Sequence, residues 1–294
     1  MSIRIQKAKT AKEAVSFLET LALAGGDKRY IFRGHSKEEH KLETTLSRLH
    51  GGTNSDCTIE FNDKLKNNLI ADNLEAFRDG IKSNSKIKSP DIEKDNNLDL
   101  LAYARHHGLP SPCIDFTDSP YVALFFAFNG VKVNDSNKSK TKYSVVYAID
   151  IGQLAHAWSK LNLGFDNSFS REQYKEFLKE KKFKYGFPAD ELMFIPNMGK
   201  DNDRQKAQEG VFLYDTLEYG QPKGQPLAYI KDLEDYLAHQ IEPSGVPILT
   251  KVFIPHKCAK QIFKKLRQEN KTGSELYMSA EGVAMDIINS YNAP

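Results

Sequence analysis

The segment CIDFTDSPYVALFFAF, residues 113–128, constrains the fold of this chain more than any other stretch. CIDFT predicts a short strand, and Pro120 lies just inside a predicted helix that Ser119 can cap. The apolar run at 121–128 is far too short to span a bilayer. Asp115 stands in the otherwise apolar strand, where burial is costly unless the carboxylate is paired. We expect a strand followed by a helix, with Arg33 as the natural candidate partner of Asp115.

Helices and strands are predicted around this unit without strict alternation, which indicates an α+β fold. Thr10 and Glu13 form a capping-box pattern before a helix at 11–24. The apolar run Tyr30-Ile31-Phe32 predicts a strand at roughly 29–33, with Arg33 at its carboxyl end. Further helices are expected at 58–83, 99–105, 152–160, 170–182, 256–269 and 279–291, and further strands at 143–151, 191–195, from Gly210 onward and at 248–255.

Composition indicates a soluble globular protein, because 40% of the 294 residues are hydrophobic and 27% are charged. The formal net charge of +2 excludes a strong overall positive field of the kind that drives non-specific nucleic-acid binding. The three cysteines are far apart and form no CxxC pattern, so we expect neither a disulfide framework nor a metal site. Charged residues interrupt the apolar N-terminal stretch, which argues against a signal peptide and predicts a cytoplasmic protein without a membrane partner.

Motifs of several common enzyme classes are missing from the sequence. It contains no GxGxxG after a strand, no GxxxxGK[ST], no HExxH and no GxSxG. We therefore do not expect this chain to be a Rossmann-type dinucleotide-binding protein, a P-loop NTPase, a zincin or an α/β-hydrolase. What remains are three clusters of polar residues at the ends of predicted strands.

The first cluster is Phe32-Arg33-Gly34-His35. An arginine can present its planar fork to a phosphate or carboxylate, and the neighbouring glycine allows a close approach of the backbone. A surface ion pair beside a turn is the alternative interpretation.

The second cluster is RHHGLPSPCIDFTDSP, residues 105–120. His106 and His107 could transfer protons, but no pattern of metal ligands accompanies them, and a structural role near a helix end is the alternative. Thr117 and Ser119 flank the junction of strand and helix, where capping is the simplest role.

The third cluster is DRQKAQEGVFLY, residues 203–214, in which Arg204, Gln208 and Glu209 precede a glycine and a predicted buried strand. Glu209 could act as a general base or orient a hydroxyl nucleophile, whereas Gln208 can only form hydrogen bonds. A charged loop that enters a strand is the alternative interpretation.

Together these clusters resemble the FRG domain family. The Phe/Tyr-Arg-Gly motif stands here as residues 32–34, and RHHGLPSPCIDFTDSPYVALFFA at 105–127 is similar to the family's second block. The third block, Arg-x-x-x-Gln-x-Gly-x-Phe, appears as Arg204, Gln208, Gly210 and Phe212. The sequence departs from the family pattern at Arg105 (usually Gln), at Ser111-Pro112 (usually Thr-Arg) and at Phe116 (usually Trp). The resemblance predicts a single domain over 1–294, with helical insertions near 58–100 and 152–185.

The order of these clusters also resembles the layout of ADP-ribosyltransferases. This second resemblance implies small mixed or antiparallel sheets around a central cleft, with flanking helices, and NAD as the substrate. It implies that the pyrophosphate binds at Arg33 and Gly34, and that the rest of NAD contacts His107, Asp115, Thr117 and Ser119. It further implies catalytic roles for Arg33, His107, Gln208 and Glu209, in a bacterial toxin or phage-defence effector.

Two other functions remain open from the sequence. A metal-independent nuclease could use His106 and His107 as acid and base, with Arg33 on the phosphate. A binding or sensing module would use Arg33 and Asp115 only as a structural pair. The acceptor, whether protein or nucleic acid, and the oligomeric state are left open.

Overall fold

A computed structural model of the chain describes residues 3–24, 30–49, 58–60, 69–87, 97–133, 142–151, 154, 192–195, 203–215, 228–230, 232–239 and 247–292. The strands within these ranges are β1 Ile3–Lys7, β2 Tyr30–His35, β3 Thr58–Glu60, β4 Cys113–Thr117, β5 Tyr143–Asp150, β6 Leu192–Ile195, β7 Gly210–Asp215, β8 Ala228–Ile230 and β9 Leu249–Pro255. The helices are α1 Ala11–Leu23, α2 Thr45–Leu49, α3 Leu69–Ser83, α4 Asn97–His106, α5 Pro120–Phe128, α6 Asp203–Ala207, α7 Leu233–His239, α8 Ala259–Gln268, α9 Gly273–Tyr277 and α10 Ala280–Asn292, with a 3₁₀ turn at His256–Cys258 before α8.

Seven of the strands form one mixed sheet in the order β1-β9-β5-β2-β4-β7-β6. The pair β1 and β9 is parallel, and the other neighbouring strands are antiparallel. Strands β3 and β8 form a separate two-stranded sheet. The predicted α+β class is confirmed, whereas the ADP-ribosyltransferase layout of two small sheets around a cleft is not confirmed.

Apolar side chains are buried on both faces of the seven-stranded sheet. Because side chains alternate along a strand, Phe32, Val146 and Ala148 lie in the core that α1, α5 and α8 cover, whereas Ile31 and Tyr147 lie in the core on the opposite face. Every residue of β5 after Tyr143 is buried, as an interior strand with both faces covered requires.

The local signals at two helix starts are confirmed. The Thr10 hydroxyl accepts the Glu13 N–H at 3.2 Å at the start of α1. Ser119 caps α5 by accepting the Val122 N–H at 3.5 Å, and Pro120 occupies the first turn. The order of strand and helix over 113–128 is as the sequence predicts.

Several sequence-based boundaries are wrong. Strand β2 continues to His35, so Arg33 lies inside the strand opposite Tyr147 and not at its end. Residues 58–60 form a strand and not the start of a helix, because they pair with β8. The polar stretch before Gly210 contains the short helix α6.

Other elements were not expected, or lie outside the described residues. Strands β1 and β8 and helices α2, α7 and α9 were not predicted from the sequence. The predicted helices at 152–160 and 170–182 lie outside the described residues, apart from Leu154. None of the helices within the described ranges has the length and apolar character needed to cross a membrane.

Candidate functional site

A cavity of about 520 Å³ opens where β2, β4 and β7 lie side by side. Five of the predicted site residues line it, namely Arg33, Gly34, Asp115, Thr117 and Gln208. His35, Arg105, Phe126, Arg204 and Phe212 also contribute to its wall. The three sequence clusters therefore meet at one cavity, although they are far apart in the chain.

The cavity forms because β2 and β4 are paired only at Phe32 and Thr117. Beyond that pair the ladder stops, and the backbone groups of β4 need other partners. The Arg33 side chain supplies one, because its Nη1 donates to the carbonyl oxygen of Asp115 at 2.5 Å. The arginine thus replaces strand pairing at the point where the cavity begins.

Arg33 is mostly buried, with 22% of its side chain exposed. Its Nε–H donates to Nε2 of His35 at 2.9 Å, and Nη1 also lies 3.7 Å from the Asp115 carboxylate. None of the described residues accepts a hydrogen bond from Nη2. Burial lowers the pKa of Arg33, but an arginine remains charged in proteins. A buried cation with an unused pair of donors can receive an anion bidentately.

His35 is fixed as a neutral imidazole by its two contacts. Its Nε2 accepts from Arg33, so Nδ1 carries the proton that is donated to the carbonyl of His40, at 3.2 Å. Burial and the adjacent Arg33 charge lower the pKa of His35 to about 3. His35 is consequently a hydrogen-bond acceptor for Arg33 at neutral pH and not a second cation.

The main partner of Asp115 is Arg105 and not the predicted Arg33. Arg105 binds the carboxylate bidentately, with Nε 2.7 Å from Oδ1 and Nη2 on Oδ2. Its Nη1 also donates to the hydroxyls of Thr45 and Ser111, at 3.2 and 3.0 Å. Burial alone would raise the pKa of Asp115, but the Arg105 guanidinium outweighs it and holds the pKa below its usual value.

Packing against α5 requires glycine at position 34, which the motif alone does not reveal. A Cβ at this position would lie 1.9 Å from the carbonyl oxygen of Ala123 and 2.6 Å from the amide nitrogen of Ala127. The close approach that the sequence suggested is thus made to the backbone of α5, although Gly34 also lines the cavity.

Thr117 and Ser119 are engaged in bonds that hold the frame of the site. The Thr117 hydroxyl donates to the carbonyl of Gln208 at 2.7 Å and accepts the Ser119 N–H at 3.1 Å. Thr117 thereby ties β4 to the third sequence cluster and also lines the cavity. Ser119 is buried as the cap of α5 and does not line the cavity.

The third cluster divides between the cavity and its outer side. Arg204 and Gln208 line the cavity, and the Gln208 Nε2 donates to the carbonyl of Leu276 at 3.2 Å. Glu209 does not line it, because its carboxylate binds Lys271 at 2.8 Å. Its backbone lies in the left-handed region, with φ of 46°. The residue proposed as a general base therefore points away from the cavity.

His107 also lies outside the cavity lining. Its ring is exposed and packs against Tyr103, with 4.5 Å between the ring centroids. The side chain of His106 is outside the described part of the structure. The structure thus does not place His107 in the cavity with Arg33, where the nuclease hypothesis needs it and where the transferase hypothesis placed either His107 or Thr117.

Two side chains of the cavity wall, and one that packs behind Arg204, were missed as functional candidates. Arg105 belonged to the second cluster and was noted as a departure from a family pattern, and His35 belonged to the first cluster, but neither was given a role. Tyr277 was not considered, yet its ring lies 4.1 Å from the Arg204 guanidinium carbon. The available signal for Arg105 was a cation at a motif position that diverges from the family. The signal for His35 was a polar residue next to the Phe-Arg-Gly motif.

The charged groups of the cavity favour an anionic ligand. Among the described residues of the lining, the arginines are Arg33, Arg105 and Arg204, and the one carboxylate is Asp115. A cleft lined mainly by one sign of charge attracts the opposite sign. Within the described residues, no group of three His, Cys, Asp or Glu side chains could hold a metal ion.

The comparisons with known proteins agree with two of the three clusters. The family model described as FRG domain matches residues 28–136, which include Arg33, Arg105 and Asp115. Arg204 and Gln208 lie beyond the match, and a single domain over 1–294 stays a prediction. No curated protein matches the chain, and no solved structure does.

Proposed function

We propose, because the chain contains an FRG domain at residues 28–136, that the cavity of this domain binds a phosphate-bearing nucleotide and that NAD is this ligand. One observation carries the proposal. Arg33 is buried at the cavity wall, and none of the described residues occupies its Nη2. Guanidinium groups in such a position bind phosphate oxygens through charge-assisted hydrogen bonds.

The dimensions and lining of the cavity support a nucleotide. A volume of about 520 Å³ falls within the range of small-molecule and cofactor sites. Phe126 and Phe212 provide aromatic surface for a base, and Arg204 provides a second cation for a pyrophosphate. A nucleotide combines these two requirements, an apolar ring and a phosphate group.

The reaction that we propose is ADP-ribosyl transfer. The bond between the nicotinamide nitrogen and C1′ of its ribose breaks, and the electron pair leaves with nicotinamide. An oxygen or nitrogen of the acceptor, or of water, then bonds to C1′ and releases its proton to solvent. Arg33 would hold the pyrophosphate, and the Gln208 Oε1 would accept a hydrogen bond from a ribose hydroxyl.

An NAD-consuming activity would suit a bacterial toxin or a phage-defence effector, because loss of NAD stops growth. This role depends entirely on the proposed reaction. Its readout is the growth of cells that express the protein, compared with cells that express the Arg33→Lys variant.

A second function is nucleotide binding without catalysis. It is favoured because the carboxylates of Asp115 and Glu209 are each bound by a basic side chain. Asp115 is bound by Arg105 and Glu209 by Lys271, so neither acid is available as a general base. A sensor would need only the cationic cavity. By contrast, the placement of His107 outside the cavity gives the nuclease hypothesis no support.

The test measures NAD binding and nicotinamide release with the same protein. Calorimetry gives the Kd for NAD, and chromatography detects free nicotinamide after incubation with cell lysate. Arg33→Lys keeps the charge but removes the planar fork, so we expect it to weaken binding at least tenfold. Arg267→Lys on the exposed face of α8 is the matched control and should not change the Kd.

The outcomes separate the two functions. Binding with nicotinamide release supports the transferase, and binding without release supports the sensor. If the folded protein does not bind NAD, or if both variants bind equally well, NAD recognition through Arg33 is refuted.

A further inference from the structure

We propose that Arg105 is a positioning residue for Arg33, and that it occupies Asp115 so that one edge of the Arg33 guanidinium stays open to a ligand. The part of this inference that concerns a ligand rests on the proposed function. The part that concerns the orientation of Arg33 does not.

The geometry places one carboxylate between two guanidinium groups. Arg105 makes two hydrogen bonds to the Asp115 carboxylate, whereas the Nη1 of Arg33 lies 3.7 Å from Oδ2, beyond hydrogen-bond distance. The hydrogen bond that Arg33 does make to Asp115 goes to its backbone carbonyl. Asp115 therefore binds Arg105 by its side chain and Arg33 by its main chain.

Arg105 is held firmly in this position. Its side chain is 10% exposed, and four of its hydrogen bonds go to Asp115, Thr45 and Ser111. These partners come from β4, from α2 and from the loop before β4. Arg33 is held less completely, because its Nη2 has no acceptor among the described residues. The two arginines therefore have different roles. Arg105 neutralises the acid, and Arg33 is left for the ligand.

The consequence of losing Arg105 follows from charge and distance. Without Arg105, the Asp115 carboxylate is attracted to the nearest remaining cation, and a bidentate Arg–carboxylate pair is the strongest arrangement available to it. That cation is Arg33. A rotation of Arg33 onto Asp115 would break its bond to His35, engage its open edge and cancel its charge in the cavity.

The ligand-free test uses the side-chain Nε–H signal of Arg33 in ¹⁵N-labelled protein. This proton is donated to His35, so it should give a shifted, slowly exchanging resonance, which the Arg33→Lys spectrum identifies by its absence. We expect R105Q to lose or move this resonance. The double variant R105Q/D115N should restore it, because the carboxylate that would capture Arg33 is then gone. Arg267→Gln is the matched control and should leave it unchanged.

The ligand arm measures the Kd of NAD and of inorganic pyrophosphate by calorimetry. We expect R105Q to weaken both at least tenfold, and R105Q/D115N to bind within about threefold of the wild type. A purely structural role for Arg105 predicts the opposite, since a second substitution in the same network should not rescue binding. R105K, which keeps the charge but not the fork, should be intermediate, and it replaces R105Q if that variant does not fold.

Two results would overturn the inference. One is an unchanged Arg33 Nε–H resonance in folded R105Q or R105K. The other is a double variant whose resonance is no closer to the wild type than that of R105Q. If the wild type binds neither NAD nor pyrophosphate, the proposed function fails, but the resonance still decides the role of Arg105.

Discussion

The Nε–H of Arg33 donates to Nε2 of His35 at 2.9 Å, so a charged side chain and an uncharged imidazole share one buried hydrogen bond. The two residues stand two positions apart on β2, so their side chains leave the strand on the same face. The arrangement requires His35 to stay neutral, because a second positive charge there would repel Arg33. Protonation of His35 is thus coupled to folding.

We expect the protein to lose stability as the pH falls below about 6.5. His35 has a pKa of about 3 in the folded state, against 6.5 when unfolded, so the unfolded chain binds the proton first. At pH 5 the loss is roughly 2 kcal/mol, from 1.36 kcal/mol per unit over 1.5 units. Urea unfolding at pH 7.5 and pH 5 measures it.

The same experiment on His35→Gln provides the control. Glutamine can accept the Arg33 hydrogen bond but does not titrate, so the variant should retain only the pH dependence that other groups cause. His256 is one of these, because burial lowers its pKa too. An undiminished pH dependence in His35→Gln would contradict the assignment.

Gly34→Ala should destabilise the fold by about 3 kcal/mol or more, because overpacking against rigid backbone cannot be relieved by a rotamer change. The added methyl would lie 1.9 Å from the Ala123 oxygen. Gly80→Ala on the exposed face of α3 is the matched control, since nothing lies within 4 Å of its Cβ position. That variant should gain roughly 0.5–1 kcal/mol from helix propensity. If Gly34→Ala and Gly80→Ala had similar midpoints of thermal unfolding, the packing argument would be refuted.

Tyr277→Leu should cost about 1–2 kcal/mol of stability, and Tyr277→Phe less than about 0.5 kcal/mol. The Tyr277 ring stacks on the Arg204 guanidinium at 4.1 Å and lies 6.4 Å from the Phe126 ring. Phenylalanine keeps both contacts and leucine keeps neither. Urea unfolding measures the difference, and equal losses in the two variants would show that the ring face contributes nothing.

Met278→Gly should stabilise the protein by about 0.5–1 kcal/mol. Met278 ends α9 in a left-handed conformation, with φ of 47°, and its side chain is 53% exposed. Glycine adopts this conformation without strain, and little packing is lost. Met278→Ala is the control, because alanine retains the backbone strain and should give no gain. A change in the urea midpoint that is equal for both variants would contradict the argument.

Local sequence patterns predicted much of the frame of the site. The Thr10 and Ser119 caps and the unit at 113–128 rest on interactions within a few residues of the chain. Such interactions are set by backbone geometry and side-chain type, so a single sequence reveals them. Their positions near predicted strand ends also suggested that Arg33, His107, Asp115, Thr117 and Gln208 could line one cleft, and all of these except His107 line the cavity.

The partner of each charged group could not be predicted in the same way. Glu209 binds Lys271, which is 62 residues away, and this contact turns its carboxylate from the cavity. From the sequence, Arg105 and Arg33 were both possible partners of Asp115, and only the folded structure, which brings the Arg105 guanidinium onto the carboxylate, selects Arg105. The pattern of charges within a short segment does not show which distant residue will lie beside each charge in the folded chain.

The sequence by itself determined where most of the candidate residues lie, because strand and helix periodicity, caps and the three polar clusters are local properties. Only the tertiary structure decided what each does. In the structure, Gly34 allows the close approach of α5, Arg105 neutralises Asp115, and Arg33 lines the cavity. The reason is physical: a charge takes the partner that folding brings nearest, and that partner is fixed by the packing of the whole sheet.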